Sequence, residues 1–287
     1  MTVYDNLVSG KKKDIQHHIG QDRFRFLEAD ILDFETLKEA MPGHDIVWHL
    51  GANTDIPGGN RVTDLDLKNC TIGTYNVLEA MRQLNMNILL FASSATVYGD
   101  APGVALSESF GPLLPISLYG AGKLACEGLV SAYSHLFGIQ AWMFRFANVV
   151  GGRMGHGVIF DFIHKLRQNP AELEILGDGK QEKPYFLVED CIDGMFCAFR
   201  SSKSLYSVHN LGCESFSLVT RVAEIVVEEM GLSNVRFKYT GGQRGWPGDV
   251  PVVHFDVSEI KKLGWQAKHT SDEAVRIAAR RLIQELP

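Results

Sequence analysis

Tyr119 and Lys123 stand four residues apart in SLYGAGK, inside a stretch of helical character, so both side chains project from one helix face a turn apart. A free phenol has a pKa of about 10. A neighbouring ammonium favours the phenolate, so the pair predicts a tyrosine drawn towards neutrality and usable as a general acid or base. Tyr-x-x-x-Lys by itself is a weak signal, because an exposed lysine beside a half-buried tyrosine reads the same way. A second element strengthens it. FASSATVYGD follows the apolar run over 87–93, and a strand ending in small hydroxyl residues leaves them at the carboxyl edge of a parallel sheet, where ligands of open α/β folds bind. Ser94 precedes Tyr119 by 25 residues.

The elements that must position these groups alternate between strand-like and helix-like patterns, the signature of a parallel sheet with helices on its faces. Strands are predicted over 45–51, 87–93 and 140–146, and helices over 34–41, 66–84 and 117–137. After Asn148 the texture changes to GGRMGHG, a helix over 157–168, short strands at LEIL and VRFKY, and helices over 189–200, 217–230 and 271–285. The fold class expected is α/β, a Rossmann-like doubly wound parallel sheet over 1–150, with a smaller α/β region over 151–287 interleaved with it.

Composition removes several function classes. The 287 residues are 45% hydrophobic and 22% charged with a formal net charge of -6, and no block of like charge exceeds Lys11-Lys12-Lys13, so the footprint of a nucleic-acid binder is missing. No apolar run approaches the ~18 residues of a membrane helix, and the N-terminus lacks the charged-then-apolar profile of a secretory signal. The expected location is the cytoplasm. Cys70, Cys126, Cys191, Cys197 and Cys213 are an odd set without CxxC spacing, which argues against a disulfide framework or structural zinc. His17, His18, His44, His49 and His156 show no ligand spacing either, and His49 reads as a satisfied core residue; no metal is assigned.

SSATVYG paired with YGAGK at this separation resembles the NAD-dependent epimerase/dehydratase family, the extended short-chain dehydrogenase/reductases, and within it the UDP-glucose 4-epimerase type. The resemblance covers nearly the whole chain. It implies that Tyr119 takes the proton from a sugar 4-hydroxyl as hydride passes to NAD, that Lys123 holds the cofactor ribose and lowers the tyrosine pKa, and that Ser94 bonds the same sugar oxygen with help from Thr96. For the cofactor it implies Asp5 and Asn6 at the adenosine ribose, Asp30 and Ile31 at the adenine, Leu50, Gly51 and Ala52 of HLGAN at the dinucleotide, and Asn69 nearby. Asp30 as a helix-cap carboxylate and Gly51 as strand-end packing are the bland alternatives.

The family also has a first strand and a GxxGxxG loop roughly 20 residues before its acidic residue. Only four residues precede Asp5, so the expectation is a chain lacking that middle strand of the sheet, with strands 2 and 4 short of a partner and NAD bound weakly or not at all. The spacing recurs at Gly242, Gly245 and Gly248, but Pro247 and Pro251 and a strand-like VVHF follow, so it is read as a decoy. On the substrate side the resemblance implies Asn148 of FRFANVVGGR at the sugar diphosphate, Lys183 where the family usually has Arg-Asp before its tyrosine, Arg244 at the diphosphate and Asp249 at a uridine ribose. A surface arginine and a turn-capping aspartate would look the same. A 4,6-dehydratase would carry an Asp-Glu pair directly after Ser94, where Ala95 and Thr96 stand, which favours epimerisation of a UDP-sugar. A reductase or dehydratase of the same family, or a nucleotide-sugar-binding remnant without turnover, are the other readings. The helices over 66–84 and 117–137 correspond to those the family pairs into a homodimer.

Overall fold

Near-continuous apolar runs in ILLFASS and QAWMFRF can be satisfied only in strands buried on both faces, and those segments form the middle of a parallel sheet. The computed structural model describes residues 1–286. In chain order its first half comprises β1 (Thr2–Asp5), β2 (Arg25–Glu28), α1 (Phe34–Ala40), β3 (Val47–His49), α2 (Ile56–Gly59), α3 (Gly73–Gln83), β4 (Ile88–Ser94), β5 (Ala105–Leu106), α4 (Leu118–Phe137) and β6 (Gln140–Phe146). The second half adds β7 (Asn148–Val150), α5 (Val158–Gln168), β8 (Glu172–Ile175), β9 (Glu182–Lys183), β10 (Tyr185–Leu187), α6 (Val188–Ser201) and β11 (Tyr206–Leu211). It closes with β12 (Ser217–Leu218), α7 (Val219–Glu229), β13 (Arg236–Tyr239), β14 (His254–Phe255), α8 (Ser258–Lys262) and α9 (Ser271–Glu285).

The main sheet has the order β11-β6-β4-β3, all parallel, with Ile88 opposite Gln140 and Ser94 opposite Phe146. Alternation sorts its side chains. Leu89, Phe91, Ala141 and Met143 pack with Val77, Leu78, Cys126 and Val130 of the helices on one face, while Leu90, Trp142 and Phe144 pack with Met195 and Ala198 of α6 on the other. β11 enters this sheet from the second half of the chain, so the two regions are interleaved in sequence.

β1 and β2 form a separate parallel pair, Thr2 opposite Arg25. No ladder bond joins this pair to β3 among the described residues, so β1 and β3 each have one strand partner. The two pieces meet through side chains: His44 Nε2 lies 3.0 Å from Thr2 Oγ1, Ser9 Oγ lies 2.7 Å from Thr54 Oγ1, and Tyr4 packs into the cluster that holds Val47. The order β2-β1, then β3-β4-β6-β11, is the one expected on either side of the first strand of a doubly wound sheet.

A second core gathers α5, α7 and α9 around β8 and β10, with Phe162, Ile175, Ile225 and Leu282 fully buried. Two expectations need correction. The strand predicted over 45–51 shortens to 47–49, because only those three residues find ladder partners on β4, which leaves Leu50, Gly51 and Ala52 beyond the strand end. The helix predicted over 66–84 is a π-helical turn at Leu67–Ile72 running into α3; apolar periodicity does not reveal such a widened turn. Among the described residues no helix is long and apolar enough to cross a membrane.

Candidate active site

α4 starts where its sequence says it should. The Ser117 hydroxyl oxygen accepts the Gly120 N–H at 3.0 Å, and Gly138 closes the helix in the left-handed conformation. Its first turn presses on the short turn Ala95–Tyr98 that follows β4: a Cβ at Gly120 would lie 2.7 Å from the Thr96 carbonyl oxygen. That approach brings Tyr119 to Ser94 at the carboxyl edge of the sheet.

Ser94 Oγ accepts from the Thr96 N–H at 3.2 Å and from Thr96 Oγ1 at 3.0 Å. The Ser94 hydroxyl stands beside Tyr119, where it favours the phenolate. Thr96 therefore acts on Ser94, holding the serine oxygen at the sheet edge.

The expected lowering of the Tyr119 pKa is not what the structure shows. Burial, the largest cause, pushes the phenol above its ordinary value, and Cys70, Asp66 and Cys126 push the same way, against the Ser94 hydrogen bond. Lys123 is 2% exposed; its Nζ donates to the Ala92 carbonyl oxygen at 2.6 Å and sits 5.0 Å from the Phe91 ring centroid and 5.8 Å from that of Tyr119. Burial lowers the pKa of this lysine, partly offset by Cys70, Cys126, Asp66 and Glu127.

Three groups around this pair were not legible beforehand. Asp66, 1% exposed, accepts Asn53 Nδ2 at 2.9 Å on Oδ1, while its Oδ2 has no partner; burial raises its pKa. Glu127, one turn beyond Lys123, takes Arg145 Nε at 2.9 Å and Nη2 at 2.7 Å, and accepts Ser93 Oγ at 2.5 Å. This trio ties α4 to β4 and β6 directly beneath the hydroxyl edge. Asp100 follows the motif in VYGD and pairs with Arg244. The Lys123 to Glu127 spacing was the available signal for the second group; nothing in the sequence marked the other two.

At the cofactor side, Asp5 ends β1, with one oxygen accepting the Leu7 N–H at 2.7 Å. Asn6 Nδ2 donates to Asp30 Oδ2 at 2.9 Å, and Asp30 Oδ1 accepts the Leu32 N–H, so these three residues form one cluster beside Ile31; the helix cap of α1 is Asp33, not Asp30. Ile31 Cδ1 lies 3.5 Å from a Cβ built on Gly51, and Leu50, 57% exposed, leaves that strand end open. Asn69 lies in the π-helical turn, its Nδ2 donating to the Leu65 carbonyl at 2.9 Å. An open edge with paired acidic and amide groups at one end and Lys123 at the other fits the adenosine and the nicotinamide ribose of a dinucleotide. No glycine-rich turn leading from a strand into a helix stands between them among the described residues, and the 242–248 glycines lie in a loop. No group of three or more His, Cys, Asp or Glu side chains gathers in a metal-binding arrangement among them. His49 is buried, with Nε2 2.9 Å from Thr74 Oγ1, and all five cysteines are free.

The substrate-side residues are brought together more tightly than separate ligand contacts would be. Lys183 Nζ donates to Asp249 Oδ1 at 2.7 Å, Gly245 N donates to Asp249 Oδ2 at 3.1 Å, and Arg244 reaches the Asp249 carbonyl. Both carboxylate oxygens of Asp249 are thus bonded within the protein. Asn148 stands apart, exposed at the start of β7 with its amide 3.4 Å from the Pro184 carbonyl.

Comparison with known proteins agrees with this arrangement. Residues 1–212 match the model of the NAD dependent epimerase/dehydratase family. A putative UDP-glucose 4-epimerase of Methanocaldococcus jannaschii is 28% identical over 283 residues, covering 96% of this chain and 87% of that protein. A crystal structure of a UDP-galactose 4-epimerase is similar with a TM-score of 0.88 and 34% identity, over 100% of this chain and 91% of the other. The Thermus thermophilus UDP-glucose 4-epimerase in complex with NAD is similar with a TM-score of 0.87 and 26% identity, over 99% and 91% of the two chains. With a family match across most of its length and the hydroxyl–tyrosine–lysine arrangement in place, the chain belongs to the NAD-dependent epimerase/dehydratase family.

Proposed function

We propose that this chain is a cytoplasmic nucleotide-sugar 4-epimerase of the UDP-glucose/UDP-galactose type, working by transient oxidation at sugar C4. The observation that carries the reading is the meeting of Ser94, Tyr119 and Lys123 at the carboxyl edge of the sheet, at a site where Ala95 and Thr96 leave no acid pair for elimination. NAD, when bound, supplies the hydride acceptor and donor for such a reaction.

The protein's own groups do the rest. In its phenolate state Tyr119 would accept the proton of the sugar 4-hydroxyl and as the phenol return it, and Ser94 would turn its hydroxyl to that oxygen when the sugar is bound. Lys123, anchored on Ala92, presents its charge to the cofactor ribose and to the ring of Tyr119. Asp5, Asn6 and Asp30 would hold the adenosine end, with Leu50, Gly51 and Ala52 lining the path between. Arg244 would provide the positive charge for a diphosphate, Lys183 would hold Asp249 in the same segment, and Asn148 would add a polar contact at its edge. The reading carries a homodimer with it, supported by the exposed apolar side chains Tyr75, Leu136 and Phe137 on α3 and α4.

The test is conversion of UDP-galactose to UDP-glucose with NAD supplied, for the natural sequence and for Tyr119→Phe, beside UDP binding measured by calorimetry. The substitution is expected to abolish turnover and keep UDP binding. Turnover preserved in Tyr119→Phe would remove the catalytic assignment, and UDP binding without turnover in the natural sequence would replace the enzyme with a nucleotide-sugar-binding protein.

A further inference from the structure

Arg244 lies in the segment 241–251, which closes over the hydroxyl edge from the second region. Three contacts hold it there. Asn60 Nδ2, just past α2, donates to the Pro247 carbonyl at 2.9 Å. Gly248, at φ 90°, lies so near the entry to α4 that a Cβ would stand 3.1 Å from the Ile116 carbonyl oxygen and 3.3 Å from Ser117 Cβ, two residues before Tyr119. Only glycine accommodates both that φ and that approach. The third contact is the Arg244 guanidinium, with one arm on the Asp249 carbonyl and the other on the Asp100 carboxylate.

The two aspartates differ in kind. Asp249 is buried, with Lys183 Nζ on one oxygen and the Gly245 N–H on the other, so it is a fixed part of the segment. Asp100 is an exposed residue whose carboxylate is paired with Arg244 alone, and the side chains of that pair are 28% and 39% exposed. Asp100 also belongs to the catalytic side of the cleft, two residues beyond the turn Ala95–Tyr98 that follows Ser94.

We propose that Asp100 is an internal counter-anion for Arg244, holding the 241–251 segment in place until the diphosphate of a nucleotide sugar takes the guanidinium from it. This rests on the nucleotide-sugar reading above and adds to it the residue that sets affinity. A half-exposed ion pair in water is weak and easily exchanged, whereas a diphosphate offers more charge and a paired set of oxygens that suits the planar guanidinium. Arg244 needs no rebuilding for the exchange, because its other arm stays on the Asp249 carbonyl. A carboxylate left beside the bound diphosphate would repel it, so Asp100 must swing away, and removing its charge removes that cost.

The test is UDP binding by calorimetry on the full chain, with hydrogen exchange of residues 241–251, for the natural sequence, Asp100→Asn and Arg244→Gln. The expected result is that Asp100→Asn binds UDP about two- to fivefold more tightly and exchanges faster across the segment without nucleotide, while Arg244→Gln binds it more weakly. Equal or weaker binding in Asp100→Asn, with Arg244→Gln still impaired, overturns the proposal and makes Asp100 a residue that positions Arg244 for the ligand. UDP binding unchanged in Arg244→Gln, or absent in the natural sequence, overturns the assignment of Arg244 to a diphosphate and the proposal with it.

Discussion

Lys123 Nζ donates to the Ala92 carbonyl oxygen at 2.6 Å and stands 5.8 Å from the Tyr119 ring centroid, so the lysine charge is anchored on the strand end and reaches the phenol only through space. Burial then decides the protonation of Tyr119, which stays a phenol in the ligand-free protein. The expected outcome is that the phenolate absorbance of the natural sequence minus that of Tyr119→Phe appears only above about pH 10. A difference signal near neutral pH would show that Lys123 outweighs burial.

Arg145 and Glu127 form a buried, two-pronged ion pair between β6 and α4. Removing one partner leaves the other charge uncompensated away from water, so Glu127→Gln is expected to cost about 3–5 kcal/mol in urea denaturation. The double variant Glu127→Gln with Arg145→Met should recover part of that loss, because no buried charge then remains. A single variant as stable as the natural protein would mean that water reaches this site.

His49 is buried and neutral, its pKa lowered from 6.5 to about 3, first by burial and then by Lys123. The unfolded chain therefore binds a proton at His49 over a pH range where the folded chain does not. The contribution is present in full above the unfolded value and is lost as pH falls from about 6.5 towards 3, with a slope of up to about 1.4 kcal/mol per pH unit. Urea denaturation as a function of pH is expected to show a shallower acid decline for His49→Gln than for the natural sequence. Parallel curves would place the proton uptake on other groups.

Much of the fold was legible because its determinants are local. β6 appears over the predicted residues 140–146, since an unbroken apolar run has only a doubly covered strand to form. α4 and α9 fall within a residue of their predicted limits because Ser117, Gly138 and the Thr270–Glu273 capping box are chain-local signals. The widened turn at Leu67–Ile72 and the short β3 escaped, because apolar periodicity does not distinguish a π-turn from an α-turn and the length of β3 is set by how far β4 offers partners.

The sequence by itself determined which groups meet at the hydroxyl edge: helical spacing places Tyr119 and Lys123 on one face, and a strand ending in Ser94 leaves that hydroxyl at the ligand side of a parallel sheet. Only the tertiary structure decided what those groups are before a ligand arrives. Protonation follows burial and the distance to every neighbouring charge, and these depend on residues remote in the chain, such as Asp66 beside Tyr119 and Lys123. The same holds for the cations of the second region: Lys183 meets Asp249 across 66 residues and Arg244 meets Asp100 across 144, pairings that no local pattern encodes because they exist only once segments remote in the chain have packed together.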